Sequence, residues 1–154
     1  SDVVPFDQAP AMKAREVTRA VVKAIVDGEV SHIRLNLANG DMVGHTGDLA
    51  ATVQAMEVLD ECVGLLADAI EKHGGVLLIT ADHGNADDML QKDGVTPKTS
   101  HSLNPVPFTL VDPTKTWTLR AVQEPGLANV AATVPVLRGA EPPADYVPAR
   151  AAPR

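Results

Sequence analysis

The stretch VLLITADHGNADD, residues 76–88, sets a continuous apolar run directly against a polar cluster. An uninterrupted run such as VLLIT is expected of a central strand buried on both faces, and it delivers Asp82 and His83 to a turn at the strand's carboxyl end. Working upstream, Leu49, Val53, Met56, Leu59, Val63, Leu66 and Ile70 recur every three or four residues between Asp48 and His73. That spacing is the stripe of a long amphipathic helix, closed by Gly74 and Gly75. Before it, HIRLNLA alternates Ile33, Leu35 and Leu37, reads as a short strand, and runs into a Gly40–Asp41 turn. Earlier still, Val17, Ala20, Val21, Ala24 and Ile25 predict a helix between Met12 and Asp27, with Gly28 as its stop. Helix, strand, long helix, strand is the alternation of an α/β unit with parallel strands. In open sheets of that kind ligands collect at the carboxyl ends of strands, where both polar clusters fall.

The flanks are less regular. SDVVPFDQAP is broken by Pro5 and Pro10, whereas Pro105 and Pro107 precede a strand-like PFTLV. LANVAATVPVLRG predicts a short helix in which Pro135 costs an interior hydrogen bond or kinks the axis. EPPADYVPARAAPR is expected to be poorly ordered, so the chain divides into residues 1–140 and a Pro/Ala-rich tail, 141–154.

With 154 residues and 45% hydrophobic content, the chain suits one cored domain. Twenty acidic against thirteen basic residues give a net charge of −7, which argues against a nucleic-acid partner and suits a cation or a metal-bound substrate. A single cysteine, Cys62, excludes an internal disulfide, and no signal peptide or membrane span is evident. A cytoplasmic setting without membrane contact is expected.

The residues able to carry chemistry are Asp41 and His45 after the first strand, Asp82 and His83 after the second, and His101 in the following loop. Carboxylate and imidazole donors together suit first-row divalent ions such as zinc or manganese, whereas calcium would want oxygens alone. On an extended backbone the adjacent Asp82 and His83 point opposite ways, which hints at a binuclear centre. Gly44 and Gly47 around His45, and Gly84 after His83, allow close backbone approach or positive φ and argue that Asp41 and His45 lie in a loop. Their spacing of four is therefore not read as one face of a helix. Taken singly, Asp41 and Asp82 read as ordinary turn residues and His101 as a hydrogen-bonded loop histidine; together the five favour a metal-dependent hydrolase or phosphotransferase. His32 and His73 read as structural, Cys62 as a half-buried hydrophobe, and Lys13, Arg15, Arg19 and Lys23 as a solvated face; Asp87 and Asp88 could support the ligands from behind, but solvated turn carboxylates are the preferred reading.

DMVGHTG (41–47), ITADHGNAD (79–87) and TSHSLNPVPF (99–108), in that order, closely resemble the cofactor-independent (2,3-bisphosphoglycerate-independent) phosphoglycerate mutases of the alkaline phosphatase superfamily. FDQAPAMKAREVT, LANVAATV and PPADY extend the resemblance over nearly the whole chain. It implies an alkaline-phosphatase-like three-layer α/β/α sandwich, present in part as the C-terminal portion of the phosphatase-like domain. It also implies that Asp41, His45 and His101 hold one manganese and that Asp82 and His83 hold part of a second, both contacting that same ion. The full-length family enzyme takes two Mn2+, with Mg2+, Co2+ or Zn2+ as alternatives, and at most one complete site is expected here.

The same resemblance implies interconversion of 3-phosphoglycerate and 2-phosphoglycerate through a phosphoserine intermediate, within glycolysis and gluconeogenesis, by a parent that is monomeric. The family's nucleophilic serine belongs to an N-terminal part that this sequence does not contain, and no serine here takes its place. The chain is thus expected to be a fragment without mutase activity of its own. A phosphatase or phosphopentomutase of the same superfamily shares the two-metal logic, and a non-catalytic metal-binding module is the reading from a different class.

Overall fold

The computed structural model describes residues 4–154. Its elements run α1 (Ala14–Asp27), α2 (Asn39–Gly44), α3 (Leu49–His73), β1 (Leu77–Thr80), β2 (Phe108–Val111), β3 (Trp117–Leu119), α4 (Ala128–Leu137) and β4 (Ala151–Pro153). Helix boundaries follow local chemistry. Gly28 takes φ 68° and returns its N–H to Ala24 O, which closes α1 as the sequence predicts. Asp48 caps α3 by accepting from Ala51 N at 2.9 Å, and Gly74 closes it against Ile70 O.

α3 is the backbone of the domain, with α1 and α2 both packed on it. Its buried face keeps Leu66 and Ile70 of the stripe expected, with Leu59 and Val63 half-buried, but departs from it in the first half of the helix. Leu49, Val53 and Met56 are about half exposed, and the face turned inward is Ala51, Ala55, Val58, Cys62, Leu66 and Ala69, joined by Ile70. Both faces have helical spacing, and in the first half of α3 the inward one carries Ala51 and Ala55, whose small side chains let neighbouring backbones approach closely. One cluster joins Ala14, Val58 and Cys62 to Ala11 and Leu37. The other joins Val43, Ala51 and Ala55 to Phe6 and Met12, so Phe6 of the Pro-broken opening packs against the core. Val43 is fully buried, which contributes on the order of 1.5–3 kcal/mol. Cys62 is fully buried rather than half-buried. Arg15, expected on a solvated face, reaches from α1 to α3 and donates through Nε and Nη2 to Glu61 at 2.9 and 2.6 Å.

The sheets depart from the expected parallel pairing. β1 pairs antiparallel with β2, Leu77 opposite Val111 and Thr80 opposite Phe108, and β3 pairs antiparallel with β4. Residues 32–37 have no regular secondary structure and form no ladder among the described residues, although Ile33, Leu35 and Leu37 are half-buried and His32, Arg34 and Asn36 exposed. Alternation fixes which side chains turn inward, whereas ladder bonds require a neighbouring strand. For the same reason β1 is only half-buried rather than enclosed on both faces.

Two further expectations need correction. Asp41 lies in α2 rather than in a turn or loop, and His45 N bonds to Asp41 O at 3.0 Å. The tail is not disordered: Ala151 is buried, β4 pairs with β3, Asn129 Nδ2 donates to Pro148 O, and Arg150 N donates to Thr133 Oγ1. Pro135 sits inside α4, which ends two residues later as Arg138 N and Ala140 N both return to Pro135 O.

Candidate metal centre

β1 and β2 form a hairpin whose long connection, residues 81–107, doubles back on itself above the strand ends. Leu90 bridges to Pro97 and Gly84 bridges to Ser102, with Ser102 N donating to Gly84 O at 2.8 Å. This second bridge brings His101 alongside His83, their rings stacked with centroids 3.7 Å apart and planes within 15°. α2 presents Asp41 and His45 from the opposite side. It is anchored by the buried Asn39, whose Nδ2 donates to Pro10 O and Ala11 O at 2.8 and 3.0 Å.

Asp41 Oδ1, His45 Nε2 and His101 Nε2 converge. The carboxylate oxygen lies 3.0 Å from His45 Nε2 and 3.2 Å from His101 Nε2, and the two nitrogens are 3.0 Å apart. Donors held ~2.1 Å from one ion lie roughly 3 to 3.5 Å from one another, so this triangle fits a single divalent cation. His45 Nδ1 is 2.6 Å from Thr99 O. A backbone carbonyl can only accept, so Nδ1 carries the hydrogen and Nε2 turns a lone pair toward Asp41 and His101. Electron-rich atoms at such spacing call for a cation or proton between them.

His83 borders the triangle. Its Nδ1 is 4.0 Å from Asp41 Oδ1, buried and without a hydrogen-bond partner among the described residues, and its Nε2 is 3.8 Å from Asp82 Oδ1. Asp41, His83 and His101 also form a possible ligand set, with donor atoms within 4.8 Å of one another. The trio with His45 is the tighter of the two. Asp82 is mostly exposed. Residues 82 and 83 lie in a bend rather than on an extended backbone, so their side chains approach one another instead of pointing apart.

One residue outside the sequence reading shapes the site. Asn85 is 4% exposed and donates through Nδ2 to Asp41 Oδ1 at 3.0 Å, orienting the carboxylate. Gly44 makes room for it: a Cβ there would lie 2.8 Å from Asn85 Cγ and closer still to its Oδ1. Of the three glycines, only Gly47 takes positive φ; Gly44 and Gly84 accommodate neighbouring side chains rather than a bare ion. The signal for Asn85 lay in the GN pair after Asp82 and His83, but nothing local tells a buried asparagine from a turn asparagine. Asp87 and Asp88 are also engaged: Asp88 pairs with Lys98, and Asp87 accepts from Ser102 and Asn104. Those two hydrogen bonds, Asn104's first, hold the Asp87 carboxyl below the usual range.

A family model described as the metalloenzyme superfamily matches residues 1–141. A probable 2,3-bisphosphoglycerate-independent phosphoglycerate mutase of Leptospira interrogans serogroup Icterohaemorrhagiae serovar Lai is 51% identical over 160 residues, covering 96% of this chain and 29% of the relative. The 2,3-bisphosphoglycerate-independent phosphoglycerate mutase of Thermosynechococcus vestitus is 59% identical over 110 residues, covering 71% and 20%. The phosphoglycerate mutase of Leishmania mexicana, crystallised at low cobalt concentration, superposes with a TM-score of 0.94 at 41% identity, over all of this chain and 31% of that one. The chain therefore spans less than a third of the length of the curated relatives it matches. Its architecture is accordingly part of an alkaline-phosphatase-like α/β fold.

Proposed function

The chain belongs to the metalloenzyme superfamily, and on that premise we propose that it forms the metal-holding portion of a 2,3-bisphosphoglycerate-independent phosphoglycerate mutase. Asp41, His45 and His101 are assigned to one divalent ion, and Asp82 and His83 to part of a second. The observation that carries this reading is the triangle of donor atoms at 3.0, 3.0 and 3.2 Å. Manganese is the ion proposed, on the likeness to the mutases, with magnesium, cobalt or zinc as alternatives; the carboxylate suits the harder of these ions and the two imidazoles the softer. The orphaned Nδ1 of His83 and the approach of its Nε2 to Asp82 support a second position beside the first.

Bound there, a divalent ion supplies Lewis acidity, lowering the pKa of a coordinated hydroxyl and offsetting phosphoryl charge. This chain's residues hold and orient: Thr99 fixes the His45 tautomer, and Asn85 fixes the Asp41 carboxylate. The whole enzyme is proposed to interconvert 3-phosphoglycerate and 2-phosphoglycerate through a phosphoserine, as a cytoplasmic monomer. Neither Ser102, whose hydroxyl donates to Asp87, nor Ser31, whose hydroxyl accepts from Arg138, is assigned as the nucleophile. The isolated chain is accordingly expected to lack mutase activity.

Calorimetric titration of the chain with Mn2+ or Co2+ tests the metal assignment. One tight equivalent, lost in Asp41→Ala, His45→Ala and His101→Ala, is expected; uptake equal to that of the variants refutes it. A coupled mutase assay on the same chain tests the rest, and turnover above background would overturn the expectation of inactivity.

A further inference from the structure

His101 is half exposed and sits in a connection without regular secondary structure, yet its ring is stacked on His83 and its Nε2 is within 3.2 Å of Asp41. Something must set its position. The neighbouring residues supply a clasp. Ser102 is buried, its N–H donates to Gly84 O at 2.8 Å, and its hydroxyl donates to Asp87 Oδ2 at 2.8 Å. Asn104 Nδ2 donates to that same carboxylate oxygen at 2.7 Å, and Asn104 N donates to Ser102 Oγ at 3.3 Å. Gly84 makes the arrangement sterically possible, because a Cβ there would lie 2.9 Å from Asp87 Cγ and closer still to Ser102 Oγ.

We propose that Asp87 is a positioning residue for the metal centre: its carboxylate ties the loop carrying His101 to the turn carrying His83, and so sets the distance between the two halves of the ligand set. The inference rests on the assignment of His101 as a ligand. Asp87 acts through Ser102 and Asn104, the residues one and three places beyond His101, which donate to its carboxylate. A water replacing the carboxylate would satisfy the Ser102 hydroxyl, but it would not tie Ser102 to the 83–87 turn. Such outer groups typically govern 10- to 100-fold of metal affinity.

The test uses the full chain. Co2+ and Mn2+ affinities are measured by calorimetry for wild type, Asp87→Ala, Asp87→Asn, Ser102→Ala and His101→Ala. Amide hydrogen exchange at Ser102 is followed separately in the metal-free protein. The clasp predicts that Asp87→Ala weakens Co2+ binding by about 10- to 100-fold and speeds Ser102 exchange. It further predicts that Ser102→Ala loses less and that Asp87→Asn, which keeps one acceptor oxygen, recovers part of the loss. If His101→Ala lowers affinity but Asp87→Ala does not, the clasp is wrong and the metal assignment stands. If His101→Ala itself leaves affinity unchanged, the metal assignment fails, and the proposal fails with it. A fall in thermal midpoint for Asp87→Ala with unchanged Ser102 exchange and unchanged affinity also overturns it, since that pattern marks a merely structural carboxylate.

Discussion

Replacing Gly44 by alanine reverses the sign usually expected for a helical glycine. Gly44 is the last residue of α2, where a Gly→Ala change without steric conflict stabilises by roughly 0.5–1 kcal/mol through backbone entropy. Here the added Cβ would stand 2.8 Å from Asn85 Cγ and nearer still to Oδ1, and Asn85 is buried with little room to withdraw. Overpacking of that kind costs about 1–3 kcal/mol, so the net loss is about 1 kcal/mol. For a chain of 154 residues that corresponds to a fall in Tm of about 3 °C. The displaced Asn85 also loosens its 3.0 Å bond to Asp41 Oδ1, so Co2+ affinity should drop by about tenfold. Calorimetric melting and Co2+ titration of Gly44→Ala measure both. The decisive control is Asn85→Ala: in that background the clash is gone, and Gly44→Ala should raise Tm or leave it level. An equal loss of stability in both backgrounds, or a higher Tm for Gly44→Ala alone, would refute the reasoning.

Three further outcomes follow from the same geometry. Asp41 Oδ1 contacts both His45 and His101, so Asp41→Asn should weaken Mn2+ binding by more than about 100-fold, beyond the range of outer-shell changes; a loss below tenfold in titration would contradict its central place. The Asp93 carboxyl is lowered to about 2, chiefly by the Thr96 hydroxyl and then by the Val95 and Thr96 N–H groups. Its unfolded value is ~3.9, so its stabilising contribution is complete above that pH and is lost as pH falls through about 2. Thr96→Val should raise the Asp93 midpoint in carboxyl-carbon NMR and shrink the change in urea midpoint between pH 4 and pH 2. Deleting residues 150–154 removes β4 and uncovers Trp117, the chain's one tryptophan, so its emission should shift to the red and Tm should fall; unchanged emission would mean that β3 and β4 are not paired in solution.

The candidate ligand residues were legible from residue types and order. Asp41, His45, Asp82, His83 and His101 stand out because carboxylates and imidazoles recur beside apolar runs, and the structure gathers these clusters at the ends of β1, α2 and the long connection. Helix ends were equally readable, because Gly28, Asp48 and Gly74 act through their own backbone and side chain. Strand pairing was not, since both antiparallel ladders join segments distant in sequence and alternation carries no record of the partner.

By itself the sequence determined which groups could bind an ion, where the helices stop and which face of residues 32–37 turns inward, since these depend on covalent identity and local periodicity. Only the tertiary structure decided that Asp41 and His45 share one helical turn. It likewise decided that α3 turns Ala51, Ala55, Val58 and Cys62 inward and leaves Leu49, Val53 and Met56 half exposed, and that Gly44 and Gly84 yield space to Asn85, Ser102 and Asp87. Those outcomes depend on how closely two distant backbones approach. That separation is fixed by the side chains between them, whose pairing emerges only when the chain is folded.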